Sequence, residues 1–278
     1  MPKRADLFGS GYAGLGEGDS MTVAKTNFDL AGRVIIVTGG GSGIGKVYST
    51  RLAEAGARVL IADLKAEDSQ RTAAALAGKS GEALAVATDV SDEAATIRMA
   101  EAAMNKWGRI DGLVNNAGLM STLTRRPWYE IPVAEWDRVM EVNLRGMFLC
   151  CRAVYGQMKK QRSGSIVNIS SQSVFEGTPK RLHYRTSKAG VIGLTRALAR
   201  EVGADGIRVN TITPGLTLSD TQVASSDPAY LADTAKGRAI ERPQVPDDLV
   251  GAVMFLLSDA SAFITGQLLN VDGGKSMH

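Results

Sequence analysis

The chain has little of what staples or metallates a protein: 278 residues contain two cysteines and two histidines. The cysteines, Cys150 and Cys151, are neighbours inside the apolar run MFLCCRAV. Adjacent cysteines rarely bridge, so a disulfide framework is excluded, and the pair reads as buried inert thiols in a reducing, cytoplasmic compartment. His183 and His278 cannot complete a zinc site with them, and no metal is expected. No stretch approaches eighteen apolar residues, so no segment is expected to span a membrane. Charge of one sign is scarce as well. The net charge is +3, with no basic stripe interleaved with aromatics, which excludes a nucleic-acid footprint.

Glycine is what the chain has in excess. Thirty-one of 278 residues is about 11%, against a usual ~7%. The glycines show no three-residue period, which excludes collagen. A hydrophobic content of 44% and near-balanced charge exclude global disorder. The length is ample for a core that needs no staples.

Residues 1–26 read as a flexible tail. They hold Gly9-Ser-Gly11-Tyr-Ala-Gly14, which matches the dinucleotide string G-x-G-x-x-G. The fingerprint requires a strand before it and a helix after it, and the tail supplies neither, so this match is expected to be inert. With no apolar h-region the tail is not a secretory signal. Met21 is expected to be an alternative translation start.

From Asn27 onward strand and helix alternate. The expected strands are RVIIVT, RVLIAD, EALAVATDV, DGLVNN, SIVNIS, IRVNTIT and QLLNVD. Between them helical spacing runs from Ile44 to Ala55 with Gly56 as its stop, through RTAAALAG, and from an Asp92 N-cap to Trp107 before Gly108. Further helices are expected over 134–161, 183–202 and 247–257. Strands that are apolar throughout imply a parallel sheet buried on both faces. The alternation implies an α/β chain: one Rossmann-like, doubly wound parallel sheet of about seven strands flanked by helices, over residues 27–278.

Four strand ends carry chemistry. After RVIIVT come Gly39, Gly40, Gly41, Ser42, Gly43, Ile44 and Gly45, opening a helix. Such a loop lets backbone approach a pyrophosphate, and the helix N-terminus offers unpaired N–H groups and a positive dipole end. The second strand ends in Asp63. A carboxylate there accepts from both ribose hydroxyls and repels a 2′-phosphate. Ser42 and Leu64 stand where an NADP site would want arginine, so NAD is the expected cofactor. Asp89-Val90 and Asn115-Asn116-Ala117-Gly118 also lie at carboxyl ends of strands, where open α/β sheets bind ligands.

Residues four apart share a helix face, so the Lys188 ammonium in Tyr184-Arg-Thr-Ser-Lys188 can lie close to the Tyr184 phenol. Thirteen residues before Tyr184 is Ser171, at the end of the fifth expected strand. Tyr155 and Lys159 repeat the spacing, but thirteen residues before Tyr155 is Val142, which has no chemistry, and this pair reads as structural.

In order and in register, TGGGSGIG, NNAG, Ser171, YRTSK and Pro214-Gly215 resemble the short-chain dehydrogenase/reductase family, single-domain branch, over about residues 29–274. WGRIDGLVNNAG and the closing ITGQLLNVDGG belong to the same likeness. The resemblance implies that Ser171 orients the substrate oxygen and Tyr184 is the acid/base. It implies that Lys188 lowers the phenol's pKa while holding the nicotinamide ribose, and that Asn143 holds a water in the proton relay. A phenol near pKa ~10 needs roughly 4 kcal/mol of differential stabilisation to act at pH 7, and nearby positive charge supplies it. Pro214, Gly215, Thr217 and Ser219 are the implied nicotinamide anchors. Thr217 and Ser219 depart from the family's usual aliphatic residue and threonine.

The segment 216–240 is expected to form a lid. Leu119, Met120, Ser173, Val174, Phe175 and Leu216 make a mostly apolar pocket wall, which favours a small hydrophobic or aromatic alcohol and its carbonyl. The lid and chain end resemble the family's pyridoxal and phenylethanol dehydrogenases, a hint of ring-bearing alcohols. Arg125 and Arg126 read as solvated loop arginines that would meet any anionic substrate, Glu176 is ambiguous, and His183 reads as helping to start its helix. A homotetramer is implied by the family. Two alternatives stand beside this reading. One is an NADPH-dependent 3-oxoacyl-thioester reductase, disfavoured by Asp63. The other is a non-catalytic dinucleotide-binding regulator, disfavoured because all four catalytic positions are filled.

Overall fold

The β-branched run Val34–Thr38 forms strand β1, every residue of it buried. Its side chains alternate between the two sheet faces, and each face meets its own core. Val34 and Ile36 pack with Leu60, Met99, Leu113, Cys150 and Met158 on one side. Ile35 and Val37 pack with Tyr48, Leu52, Leu249 and Leu256 on the other. Full burial of such side chains contributes roughly 1.5–3 kcal/mol each, which is why a run without polar alternation is stable only in the middle of a three-layer structure. In a computed structural model, residues 28–78, 81–224 and 235–277 are described. The tail expected over 1–26 lies outside them, as does part of the segment 216–240.

The remaining strands are β2 (Arg58–Asp63), β3 (Glu82–Ala87), β4 (Gly112–Asn115), β5 (Gly164–Ile169), β6 (Ile207–Pro214) and β7 (Leu268–Val271). They form one seven-stranded sheet in the order β3-β2-β1-β4-β5-β6-β7, parallel at every pairing. The order reverses between β1 and β4, and ligands of open α/β sheets bind at the carboxyl side of such a switch point. Burial on both faces holds for the inner strands. The edge strands β3 and β7 are mostly half-buried, and among the described residues neither has a strand beyond it. β3 also stops at Ala87, short of the expected Asp89-Val90, once Thr88 N has donated to Asp63 O at 2.8 Å.

The helices are α1 (Gly43–Glu54), α2 (Ala66–Ala75), α3 (Glu93–Trp107), α4 (Val133–Met140), α5 (Gly146–Gln161), α6 (Ser173–Glu176), α7 (Leu182–Val202), α8 (Asp220–Ala224) and α9 (Asp247–Leu257). α3 has the expected ends: the Asp92 carboxylate accepts from Ala94 N at 3.0 Å, and Gly108 closes it at φ 72°. α2 begins five residues before the expected RTAAALAG, with Glu67 and Asp68 in its first turn, where carboxylates favour a helix N-terminus.

The helix expected over 134–161 is interrupted in kind. Between α4 and α5 lies one π turn, Glu141–Arg145, with Asn143 at its centre. Wide turns of this sort are rare and cluster at functional sites. Cys150 and Cys151 are free and buried on α5. Burial pushes both thiols up, Cys151 to about 12, so neither is a thiolate near neutral pH.

Candidate active site

The loop from Gly39 to Gly45 is stapled to the end of β4. Thr38 Oγ1 accepts from the backbone N–H groups of Asn116 and Ala117, each at 3.1 Å. In return Asn116 Nδ2 donates to Thr38 O and Gly39 O, also at 3.1 Å. A Cβ on Gly45 would stand 2.0 Å from Gly39 O, so only glycine lets α1 begin there. Asp63 closes the other side: Oδ2 accepts from Gly41 N at 3.0 Å and Oδ1 from Lys65 N at 3.1 Å. Ser42 is the N-cap of α1 but makes no side-chain cap, and the first turn holds no acidic residue. The result is a Cβ-poor concavity, a positive helix end and a carboxylate two strands' width from β4. That donor set fits a dinucleotide, with backbone N–H groups for the pyrophosphate and Asp63 for the ribose.

Beyond the switch point lies the second half of the site. Lys188, on α7 and 4% exposed, donates from Nζ to Ile169 O at 2.8 Å, and Nζ lies 6.0 Å from the centre of the Tyr184 ring. Burial pushes its ammonium down to about 8. Burial likewise raises the Tyr184 phenol, while a hydrogen bond from Ser171 and the charges of Arg181 and Arg185 oppose the rise. Ser171 and Ser173 share a hydrogen bond of 2.9 Å where β5 gives way to α6.

Asn143 is wholly buried. Its Oδ1 accepts from Leu119 N at 2.7 Å, and its Nδ2 donates to Leu119 O and Ser187 Oγ, each at 3.1 Å. Ser187 Oγ in turn donates to Tyr184 O at 2.7 Å. A Cβ on Gly118 would sit 3.3 Å from Asn143 Oδ1 and 3.4 Å from Lys188 Nζ. Asn143 and Lys188 therefore converge on one point at the end of β4, although 45 residues separate them in sequence. Ser187 was not a sequence candidate. Nothing in YRTSK marks it, because its role depends on the π turn bringing Asn143 against α7.

Other candidates sit as follows. The Asp89 carboxylate accepts from Ser91 N at 2.9 Å, Ser91 Oγ at 2.6 Å and Arg138 at 3.3 Å, and Val90 packs against Gly146. Leu64 is exposed. Pro214 ends β6, Gly215 N donates to Val271 O at 3.0 Å, and Thr217 Oγ1 donates to Gly215 O at 3.0 Å. Ser219 Oγ accepts from Gln222 N at 3.2 Å. Leu216 O accepts from Arg238 at 2.7 Å. Met120 and Leu123 are both held by Arg181, through Sδ at 3.2 Å and O at 3.0 Å. Phe175 lies at the exposed end of α6.

Arg126 departs from the expectation of a solvated arginine. It lies 3.4 Å from Glu135, whose other oxygen is 3.1 Å from the wholly buried His183 Nε2. Burial lowers the imidazole's pKa, and His183 sits at the start of α7 against Glu135 of α4. Loop residues 119–126 and the start of α7 are joined by the partly buried Arg181 contacts, which no sequence spacing announces.

A family model described as enoyl-(acyl carrier protein) reductase matches residues 39–276. The chain is 38% identical to (2S)-[(R)-hydroxy(phenyl)methyl]succinyl-CoA dehydrogenase subunit BbsD of Thauera aromatica, covering 89% of this chain and 98% of that one. It is 37% identical to 3-oxoacyl-[acyl-carrier-protein] reductase FabG of Thermotoga maritima, over 88% and 98%. Among solved structures, 7α-hydroxysteroid dehydrogenase complexed with NADH and 7-oxo glycochenodeoxycholic acid superimposes with a TM-score of 0.84 at 33% identity, over 89% and 96%. Fold, motif order and these likenesses define a class, the dinucleotide-dependent α/β oxidoreductases. Within it the chain belongs to the short-chain dehydrogenase/reductase family. Among the described residues no helix is long and apolar enough to cross a membrane.

Proposed function

We propose that the protein is an NAD-dependent oxidoreductase that interconverts a small hydrophobic or aromatic alcohol and its carbonyl, with Tyr184 as the acid/base. The observation that carries this reading is the convergence of Tyr184, Lys188, Ser171 and Asn143 at the carboxyl ends of β4 and β5, beside the glycine loop. A lysine at about 8 still carries its proton at pH 7, which puts a positive charge 6.0 Å from the centre of the phenol ring. Ser171 donates to the substrate oxygen and fixes its distance from the phenol, which takes or returns the hydroxyl proton. Asn143 is locked by Leu119 and Ser187, and the remaining lone pair of its Oδ1, which lies with Lys188 Nζ beside Gly118, holds the water that passes the proton on. When bound, the nicotinamide supplies the hydride acceptor or donor, and the protein's task is positioning.

Asp63 and the exposed Leu64 support NAD over NADP, since a 2′-phosphate would meet a carboxylate and no guanidinium. The apolar character of Met120, Phe175 and Leu216, read as one wall of the pocket, and a relative whose named substrate bears a hydroxyl beside a phenyl ring, support a ring-bearing alcohol. The family likeness supports a homotetramer, and the cysteine usage a cytoplasmic location. The catalytic domain over 27–278 and the lid over 216–240 belong to the same proposal.

Tyr184→Phe should lower kcat by 10²-fold or more, the usual range for a lost general acid/base, while NAD still binds. Near-native turnover by that variant on an aromatic secondary alcohol would sink the mechanism. Asp63→Ser should shift the ratio of kcat/KM toward NADP, and an unchanged ratio would remove Asp63 from the ribose. A second reading, a 3-oxoacyl-thioester reductase using NADPH, is favoured by the FabG likeness and opposed by Asp63. Faster turnover of acetoacetyl-CoA with NADPH than of any alcohol with NAD would select it.

A further inference from the structure

The positive end of α1 is already in contact with a negative charge. Gly43 N donates to Asp220 Oδ1 at 3.0 Å, across 177 residues of sequence. The approach is close over a short stretch: a Cβ on Gly43, whose φ is +56°, would lie 2.8 Å from Thr221 Oγ1 and 3.8 Å from Ser219 Oγ. Ser219, Asp220 and Thr221 therefore lie over the N-terminus of the helix. Since α1 has neither a side-chain N-cap nor an acidic first turn, the Asp220 carboxylate supplies from outside the helix the anion that its dipole favours.

We propose that Asp220 is an internal competitor for the cofactor's pyrophosphate and so determines dinucleotide affinity. The inference rests on the reading of the glycine loop as the pyrophosphate site. In the free protein the carboxylate satisfies the Gly43 N–H. On binding, a phosphate takes over that helix end, and Asp220 either leaves or stays as a like charge beside it. Both routes weaken binding relative to a protein with no carboxylate there. An anion delivered by residues 219–221, a few positions past the end of β6, makes cofactor affinity depend on where that stretch sits. No sequence spacing announces this contact, because 177 residues separate Gly43 from Asp220.

The test compares the wild-type chain with Asp220→Asn and Asp220→Ala, measuring dissociation constants for NAD, ADP and adenosine by titration calorimetry at low and high salt. The asparagine keeps the size and an acceptor oxygen, and the alanine removes both. Expected is binding of NAD and ADP tightened about tenfold in both variants at low salt, with a smaller gain in high salt because exposed charges are screened. Adenosine, with no phosphate, should bind all three proteins equally. NAD and ADP bound no more tightly by the variants than by wild type would overturn the role of Asp220 and leave the site reading intact. An equal gain for adenosine would trace the effect to loop opening rather than charge and would overturn it too. A wild type that binds neither NAD nor ADP would overturn the site reading itself, and the inference with it.

Discussion

Two tyrosine–lysine pairs with the same spacing sit on neighbouring helices, and their surroundings make them different objects. On α5, Tyr155 donates to Asp205 at 2.9 Å, and Lys159 Nζ donates to Tyr155 at 3.1 Å while standing 3.6 Å from Asp205. Lys159 is half exposed, and its hydrogen bond to Tyr155, with the Asp205 charge, raises its pKa. On α7, Lys188 is buried against Ile169 O with no carboxylate to pair with among its described contacts, and its pKa moves the other way. The ammonium-to-ring distances differ little, 5.5 Å and 6.0 Å. Spacing brings a phenol and an ammonium together in both places. Desolvation moves the buried pair's phenol up and its ammonium down, whereas the Asp205 carboxylate pairs with the other two side chains and makes them a strut.

The sharpest way to break this comparison is the matched exchange of the two phenols. Where Tyr184→Phe abolishes turnover, Tyr155→Phe should leave kcat/KM within about twofold and cost about 1 kcal/mol of stability for one hydrogen bond. Comparable losses of activity in both variants would dissolve the distinction. A smaller effect separates the lysines by pH. A lysine whose folded pKa is about 8 binds fewer protons than its unfolded form, at 10.5, between those two values. Stability of the wild type relative to Lys188→Met should therefore rise with pH across that window, by up to about 3 kcal/mol. Lys159→Met should show no such rise, since its pKa is displaced upward. Thermal melts from pH 7 to pH 10.5 measure both, and parallel curves would remove the burial argument for Lys188.

Much of the fold was legible because its signals are local. Asp92 and Gly108 announce the ends of α3 with a cap and a left-handed stop. The run VIIVT announces an inner strand, and the glycines from Gly39 announce a loop onto a helix. The edge strands were less legible, since burial depends on neighbours and β3 has one. The π turn at Glu141–Arg145 was not legible at all. Its residues continue an ordinary helical pattern, and the contacts that Asn143 makes from it, to Leu119 and Ser187, lie 24 and 44 positions away. The grouping of Arg126, Glu135 and His183 was missed for a related reason: Arg126 and His183 were read one at a time, and only packing of α4 on α7 brings Glu135 between them. The glycine string from Gly9 to Gly14 lies outside the described residues.

The sequence by itself determined which residue types stand at which strand ends: glycines after β1, Asp63 after β2, Asn116 after β4, Ser171 after β5 and Pro214 at the close of β6. Periodicity, caps and short-range sterics act over a few residues, so a linear text carries them. The tertiary structure decided which of those ends meet. Strand order β3-β2-β1-β4-β5-β6-β7 sets Thr38 against Asn116 and Lys188 against Gly118, and the return of the chain after β6 sets Asp220 on Gly43. Those contacts join residues from 70 to 177 positions apart. Their geometry follows from how the sheet is wound and what its burial excludes from water, which no window of sequence contains.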